Sequence, residues 1–91
     1  MTTSNELRCW VYRSPRKQEM YLYLDIEDDF SRVPDELLRR FGEPAKIMQL
    51  SLHTERKLAR EDVVKVMENL RTQGFHLQMP PKLWVDLYEG D

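Results

Sequence analysis

The feature that most constrains this chain is a helix that runs directly into a strand between residues 58 and 81. Val63, Val66, Met67 and Leu70 recur at i, i+3, i+4 and i+7, which lines one face of an α-helix, and Gly74 supplies the stop. Phe75, Leu77 and Met79 then alternate with His76 and Gln78 in the pattern of a half-buried strand, closed by Pro80 and Pro81. A helix stripe and a strand face this close in sequence are most easily buried against each other. The spacing therefore predicts Phe75 and Leu77 beneath the helix and His76 turned away from it.

Upstream, residues 7–12 read as a strand with Leu7, Cys9 and Val11 on one face and Arg8, Trp10 and Tyr12 on the other. A second strand over residues 20–24, extending toward Ile26, sets Met20, Leu22, Leu24 and Ile26 against Tyr21 and Tyr23. Ser14 and Pro15 favour a turn between them, so the pair forms a hairpin. Both faces of that hairpin carry apolar or aromatic bulk, which predicts a sheet covered on both sides.

Pro34 reads as the first residue of a short helix with Asp35 and Glu36 at its positive end, Leu37, Leu38 and Phe41 buried, and Gly42 as its stop. A third strand over residues 46–52 alternates Met48, Leu50 and Leu52 with Ile47, Gln49 and Ser51, its apolar face the even one. Thr54 is read as a cap in the polar turn that follows, with Glu61 and Asp62 at the start of a second helix beginning near Arg60. The chain is thus expected to be α+β, in the order β-β-α-β-α-β, with a four-stranded mixed sheet and helices packed on it. One domain is expected over residues 1–91, with its core at about 7–81 and a frayed start at 1–5. The tail over residues 82–91 carries Leu83, Trp84, Val85, Leu87 and Tyr88, too apolar for a disordered tag.

At 91 residues the chain suffices for one hydrophobic core. The formal net charge of −2 gives no global attraction to nucleic acid or anionic membrane, so any such attraction comes from local patches. A lone cysteine, Cys9, excludes an intramolecular disulfide and, with no secretory signal readable, points to a reducing cytoplasm. No apolar run reaches bilayer-spanning length. Glycine-rich phosphate loops, paired-cysteine metal motifs and Ser-His-Asp arrangements are absent from the pattern, so neither a cofactor nor a metal is expected.

Two cationic clusters stand out: Arg13, Arg16 and Lys17 in the hairpin turn, and Arg56, Lys57 and Arg60 ahead of the second helix. If both lie at one edge of the sheet they make a single patch for several phosphates, with Trp10, Tyr12, Tyr21 and Tyr23 as stacking surfaces. Solvated loops and core rings are the alternative. The run Glu27, Asp28 and Asp29, near Asp25, offers hard carboxylate oxygens of the kind that hold Mg²⁺, with a solvated loop as the simpler reading. His53, beside the second cluster, is the one candidate for acid-base catalysis, with an ordinary strand-end histidine as its alternative. Cys9 reads as an inert buried thiol.

The runs CWVYRSPRKQEMYLYL, DDF, VP ahead of LLRRFGEP, HTERKLAR and GFHLQMPP together resemble the YcgL domain family of small gammaproteobacterial proteins. The resemblance implies a compact α/β domain with a four-stranded sheet, a cytoplasmic location and a suggested connection to RNA metabolism that extends to ribonuclease activity. It supplies no catalytic set to carry over. Two functions follow as expectations: an RNA-associated protein acting through the basic loops, or a protein-interaction module whose partner is captured by Leu83, Trp84 and Leu87.

Overall fold

The computed structural model describes residues 6–58 and 61–80; Arg60 and the tail residues Leu83, Trp84 and Leu87 lie outside them. The elements are β1 (Leu7–Arg13), β2 (Tyr21–Leu24), α1 (Asp35–Phe41), β3 (Ala45–Leu52), α2 (Val63–Gln73) and β4 (Phe75–Gln78). The fold is α+β in the expected order.

The four strands lie in the order β3-β1-β2-β4. All three pairings are antiparallel, where a mixed sheet was predicted. The reason is topological. β2 and β3 do run the same way, as a crossover through α1 predicts, but β1 lies between them; β1 and β4 also run the same way, with β2 between them. Parallel strands therefore exist in the sheet without being neighbours.

Each face carries its own core. On one, α2 buries Val63, Val66, Met67 and Leu70 against Cys9, Val11, Tyr23 and Leu52. On the other, Phe41 of α1 packs with Tyr12, Met20, Leu22, Leu24 and Val33, flanked by Trp10, Phe30, Leu37 and Leu38. The face assignments predicted for β1 and β2 hold, and apolar clusters cover part of each face of the sheet, but Ile26 past the end of β2 and Ile47 and Met48 of β3 stand exposed. Burying a side chain of this size contributes about 1.5–3 kcal/mol, so the two clusters dominate stability.

Phe75 and Leu77 do not lie beneath α2, contrary to the expectation; they join the α1 side. Their pairing partners fix this. Phe75 is opposite Leu24 and Leu77 opposite Leu22, both of which face α1, so His76 falls opposite Tyr23 on the α2 side. The single-residue link at Gly74 (φ +85°) delivers the chain into β4 in that phase.

The helix starts also differ from expectation. α2 begins at Val63 rather than near Arg60, because the Asp62 carboxylate accepts from the Val64 backbone N–H at 3.0 Å and so takes the capping role assigned to Thr54. Pro34 sits just before α1, in extended backbone (ψ 141°), with Asp35 and Glu36 in the first turn. Between β1 and β3 the register slips. Met48 faces Val11 but Lys46 faces Tyr12, which leaves Ile47 as the extra residue of a β-bulge.

Candidate nucleic-acid interface

The hairpin turn is held by one hydroxyl. Ser14 is buried, donates from Oγ to the Phe41 carbonyl at 2.5 Å, and accepts from the backbone N–H groups of Arg16 and Lys17 at 3.1 Å each. A Ser-Pro turn that would otherwise float is thereby tied to the C-terminal end of α1. The Arg16 side chain lies across Gly42, whose missing Cβ leaves room for it; a methyl there would come within 3.0 Å of Arg16 Cγ. Arg13, Ser14, Arg16 and Tyr21 line a cleft of about 430 Å³ at this end of the sheet, together with Pro15, Gln18 and Glu19.

Among the described residues, none of Arg13, Arg16 and Lys17 enters an ion pair. The last turn of α1 adds Arg39 and Arg40 at the end of the helix to which the turn is tied, though both pair with Glu36, at 3.1 and 3.4 Å. Sequence reading did not single out these two arginines, because the bond that ties the turn to the end of α1 joins residues 27 positions apart. The arrangement is suited to holding anionic oxygens beside a half-buried tyrosine ring.

The second cluster is elsewhere. Arg56 and Lys57 follow Leu52, and Leu52 pairs with Leu7 at the opposite end of β1 from Arg13. Seven residues of β1 at ~3.3 Å each put the two loops roughly 20 Å apart, so the single basic patch anticipated from the sequence does not form. Arg56 donates its backbone N–H to the His53 carbonyl at 3.0 Å and its guanidinium to the Ser51 carbonyl at 3.4 Å. His53 is half-buried in that turn.

The anticipated stacking rings divide between the faces. Tyr12 is buried, its hydroxyl donating to Asp28 Oδ1 at 2.9 Å and accepting from the Asp28 N–H at 2.7 Å; burial raises its pKa. Tyr23 is buried on the α2 side and donates to Gln78 Oε1 at 2.8 Å. Only Tyr21 and Trp10 keep substantial ring surface, and only Tyr21 borders the cationic cleft.

The acidic loop is engaged with the protein itself. Lys46 bonds to Glu27 and reaches Asp28 at 3.4 Å, Arg32 lies 3.7 Å from Asp25, and Asp29 accepts from both the N–H and hydroxyl of Ser31. The bond to Glu27 holds the Lys46 pKa up, and the Ser31 bonds hold that of Asp29 down. The described residues contain no group of three or more His, Cys, Asp or Glu side chains placed to hold a metal ion. Cys9 is fully buried. Burial pushes its thiol up to about 12 against a weaker opposing pull from Arg56, which makes it unreactive at neutral pH.

His76 is committed to structure. Nε2 lies 2.7 Å from Glu61 Oε1, and Nδ1 stands 2.9 Å from the Asn69 amide, so neither ring nitrogen is open to a substrate. With both ring nitrogens held by Glu61 and Asn69, His76 is not available as an acid-base partner for His53.

A model of the YcgL domain matches residues 9–81. The chain belongs to the YcgL domain family. A YcgL domain-containing protein of Pseudomonas aeruginosa is 62% identical over 73 residues, which cover 80% of this chain and 75% of the relative. Relatives in Pseudomonas putida and Azotobacter vinelandii are 59% and 58% identical over spans of the same coverage. The four-stranded α+β architecture is thus that of a YcgL domain. No described helix is long and apolar enough to cross a membrane.

Proposed function

We propose that this YcgL domain is a cytoplasmic RNA-binding protein whose principal contact is the hairpin end of its sheet. The observation that carries the reading is the set of three cations, Arg13, Arg16 and Lys17, that form no ion pair among the described residues, on a turn anchored by the buried Ser14 hydroxyl. Cations on a turn of fixed geometry lose less conformational entropy on meeting phosphate than the same residues on a free loop. Tyr21 at the cleft offers a ring on which one base can stack, which is tolerant of sequence. Arg56 and Lys57 form a separate, secondary contact for a strand long enough to reach them.

The test is a native-gel titration of end-labelled single-stranded RNA against the whole chain, with a denaturing gel run in parallel. A shift without cleavage is expected, weakening steeply with salt. Charge reversal at Arg13, Arg16 and Lys17 should reduce the salt slope by about 2, given ~0.7 per phosphate contact on single strands. Binding unchanged by that triple substitution would remove the site. Cleavage that disappears in His53→Ala would replace a binding module with a nuclease.

A further inference from the structure

The longest strand of the sheet lies at its edge. β3 pairs with β1 on one side and, among the described residues, with no strand on the other. Such an edge presents a row of N–H and C=O groups ready to pair with another chain, and proteins usually blunt it with proline, charge, a bulge or cover. Little of this is present on β3. It contains no proline, and its one charged residue, Lys46, is engaged by Glu27 and Asp28. The β-bulge lies toward the start of the strand and leaves residues 48–52 in regular pairing with residues 7–11. Arg56 reaches only the far end, at the Ser51 carbonyl. Residues 45–49 are all exposed. The bulge sets Ile47 beside Met48 at an apolar groove of about 260 Å³ that Leu50 and Tyr21 also line, so two large apolar side chains stand next to each other at 41% and 47% exposure.

We propose that β3 is a dimer interface, and that its occupant is the β3 strand of a second copy of this chain, laid antiparallel to the first about a two-fold axis at Gln49. The strand selects this occupant because it is complementary to itself, which a two-fold contact requires. Reading outward from the axis, Met48 of each copy faces Leu50 of the other on the side of the sheet that carries α2, so the apolar contact is made twice and the two grooves meet across the joint. On the opposite side Gln49 meets Gln49, and an amide can both donate to and accept from its counterpart. Like charges do not meet. Lys46 of one copy falls level with Leu52 of the other, which puts the two lysines roughly 20 Å apart at ~3.3 Å per residue, beyond the ~8–10 Å over which exposed charges interact. Ala45, which pairs with Arg13, lies at the outer end of the joined strands in each copy, so the contact leaves both hairpin clefts open.

The experiment is sedimentation equilibrium of the whole chain. A dimer is expected at about 100 μM, well above a micromolar Kd, with dissociation on dilution. A monomer at that concentration overturns the proposal, whatever else covers the strand. Met48→Lys with Gln49→Lys sets ammonium groups against each other at the axis and against Leu50, and should weaken the dimer at least about tenfold. Both side chains are exposed in the single copy, so the circular dichroism should stay unchanged. A dimer of unaltered strength in that variant also overturns the proposal, since the contact then lies elsewhere. The register has its own test. In a Cys9→Ala chain, Gln49→Cys should oxidise to a disulfide between two copies, because directly opposed residues stand ~5.5 Å apart at Cα, within disulfide reach. Ala45→Cys, roughly 26 Å from its counterpart, should not. Crosslinking of both variants alike, or of neither, overturns the two-fold pairing at Gln49.

Discussion

The His76 imidazole bridges Glu61 and Asn69, and through them joins β4 to both the approach and the body of α2. The Asn69 amide nitrogen can only donate, so Nδ1 accepts and the ring proton sits on Nε2, directed at the carboxylate. The ring also packs edge-on against Tyr23, with centroids 5.5 Å apart. A polar residue on the helix-covered face is therefore fully satisfied, which is the condition for burying it.

Removing that bridge leaves Glu61 and Asn69 without their partner in a part-buried setting. His76→Leu should lower stability by about 1–3 kcal/mol, the range for stranding buried hydrogen-bonding groups. Glu61→Gln should cost less, because the amide oxygen still accepts from Nε2. Urea midpoints of the three proteins at pH 7 check the order; equal midpoints for His76→Leu and the parent chain would contradict it.

Ser14 makes one hydrogen bond as donor and two as acceptor, so its loss reaches further than a surface serine. Ser14→Ala leaves the Phe41 carbonyl and the N–H groups of Arg16 and Lys17 to find other partners, and should cost about 1–3 kcal/mol. It should also weaken RNA binding without removing any charge, since the turn carrying the cations loosens. Unfolding curves and gel titrations on one preparation separate the two effects. Destabilisation with unaltered affinity would mean that the anchoring does not matter for recognition.

The buried Cys9 thiol gives a pH dependence whose sign follows from its raised pKa. Below pH 9 both folded and unfolded chains keep the proton, and the contribution is constant. Between about 9 and about 12 the unfolded chain releases it and the folded chain does not, so stability falls as pH rises. The slope for one proton is about 1.4 kcal/mol per pH unit. Cys9→Ala should be more stable than the parent chain across that window relative to their difference at pH 8. Thiol labelling at pH 8 should proceed only in denaturant, and rapid labelling of the native protein would contradict the burial.

Much of the fold was legible because it rests on local periodicity. The α2 stripe, its Gly74 stop, the hairpin and the two faces of β1 and β2 all follow from residues within a few positions of one another. What was not legible depends on partners distant in sequence. Nothing near His76 says that β4 takes its phase from Leu22 and Leu24, or that Glu61 waits to receive the imidazole. The pairing of β3 with β1, which carries Arg56 and Lys57 away from Arg13, Arg16 and Lys17, is likewise a long-range choice. Ser14 read correctly as a turn residue, but its bond to Phe41 spans 27 positions and leaves no local pattern.

The separation of the two basic loops has a measurable consequence. At roughly 20 Å apart they lie beyond the ~8–10 Å over which exposed charges interact at physiological salt, so each should act on RNA independently. Charge reversal at Arg16 and Lys17 and charge reversal at Arg56 and Lys57 should then change the free energy of binding a long single strand additively, the combined variant losing the sum of the two. The hairpin pair should account for the larger share, because its turn is anchored by a buried hydroxyl, whereas the guanidinium of Arg56 leans on an exposed strand edge. Equilibrium titrations of the four proteins at one salt concentration decide it. A combined loss well short of the sum would mean that both clusters hold the same phosphates, which the antiparallel register of β1 with β3 does not allow.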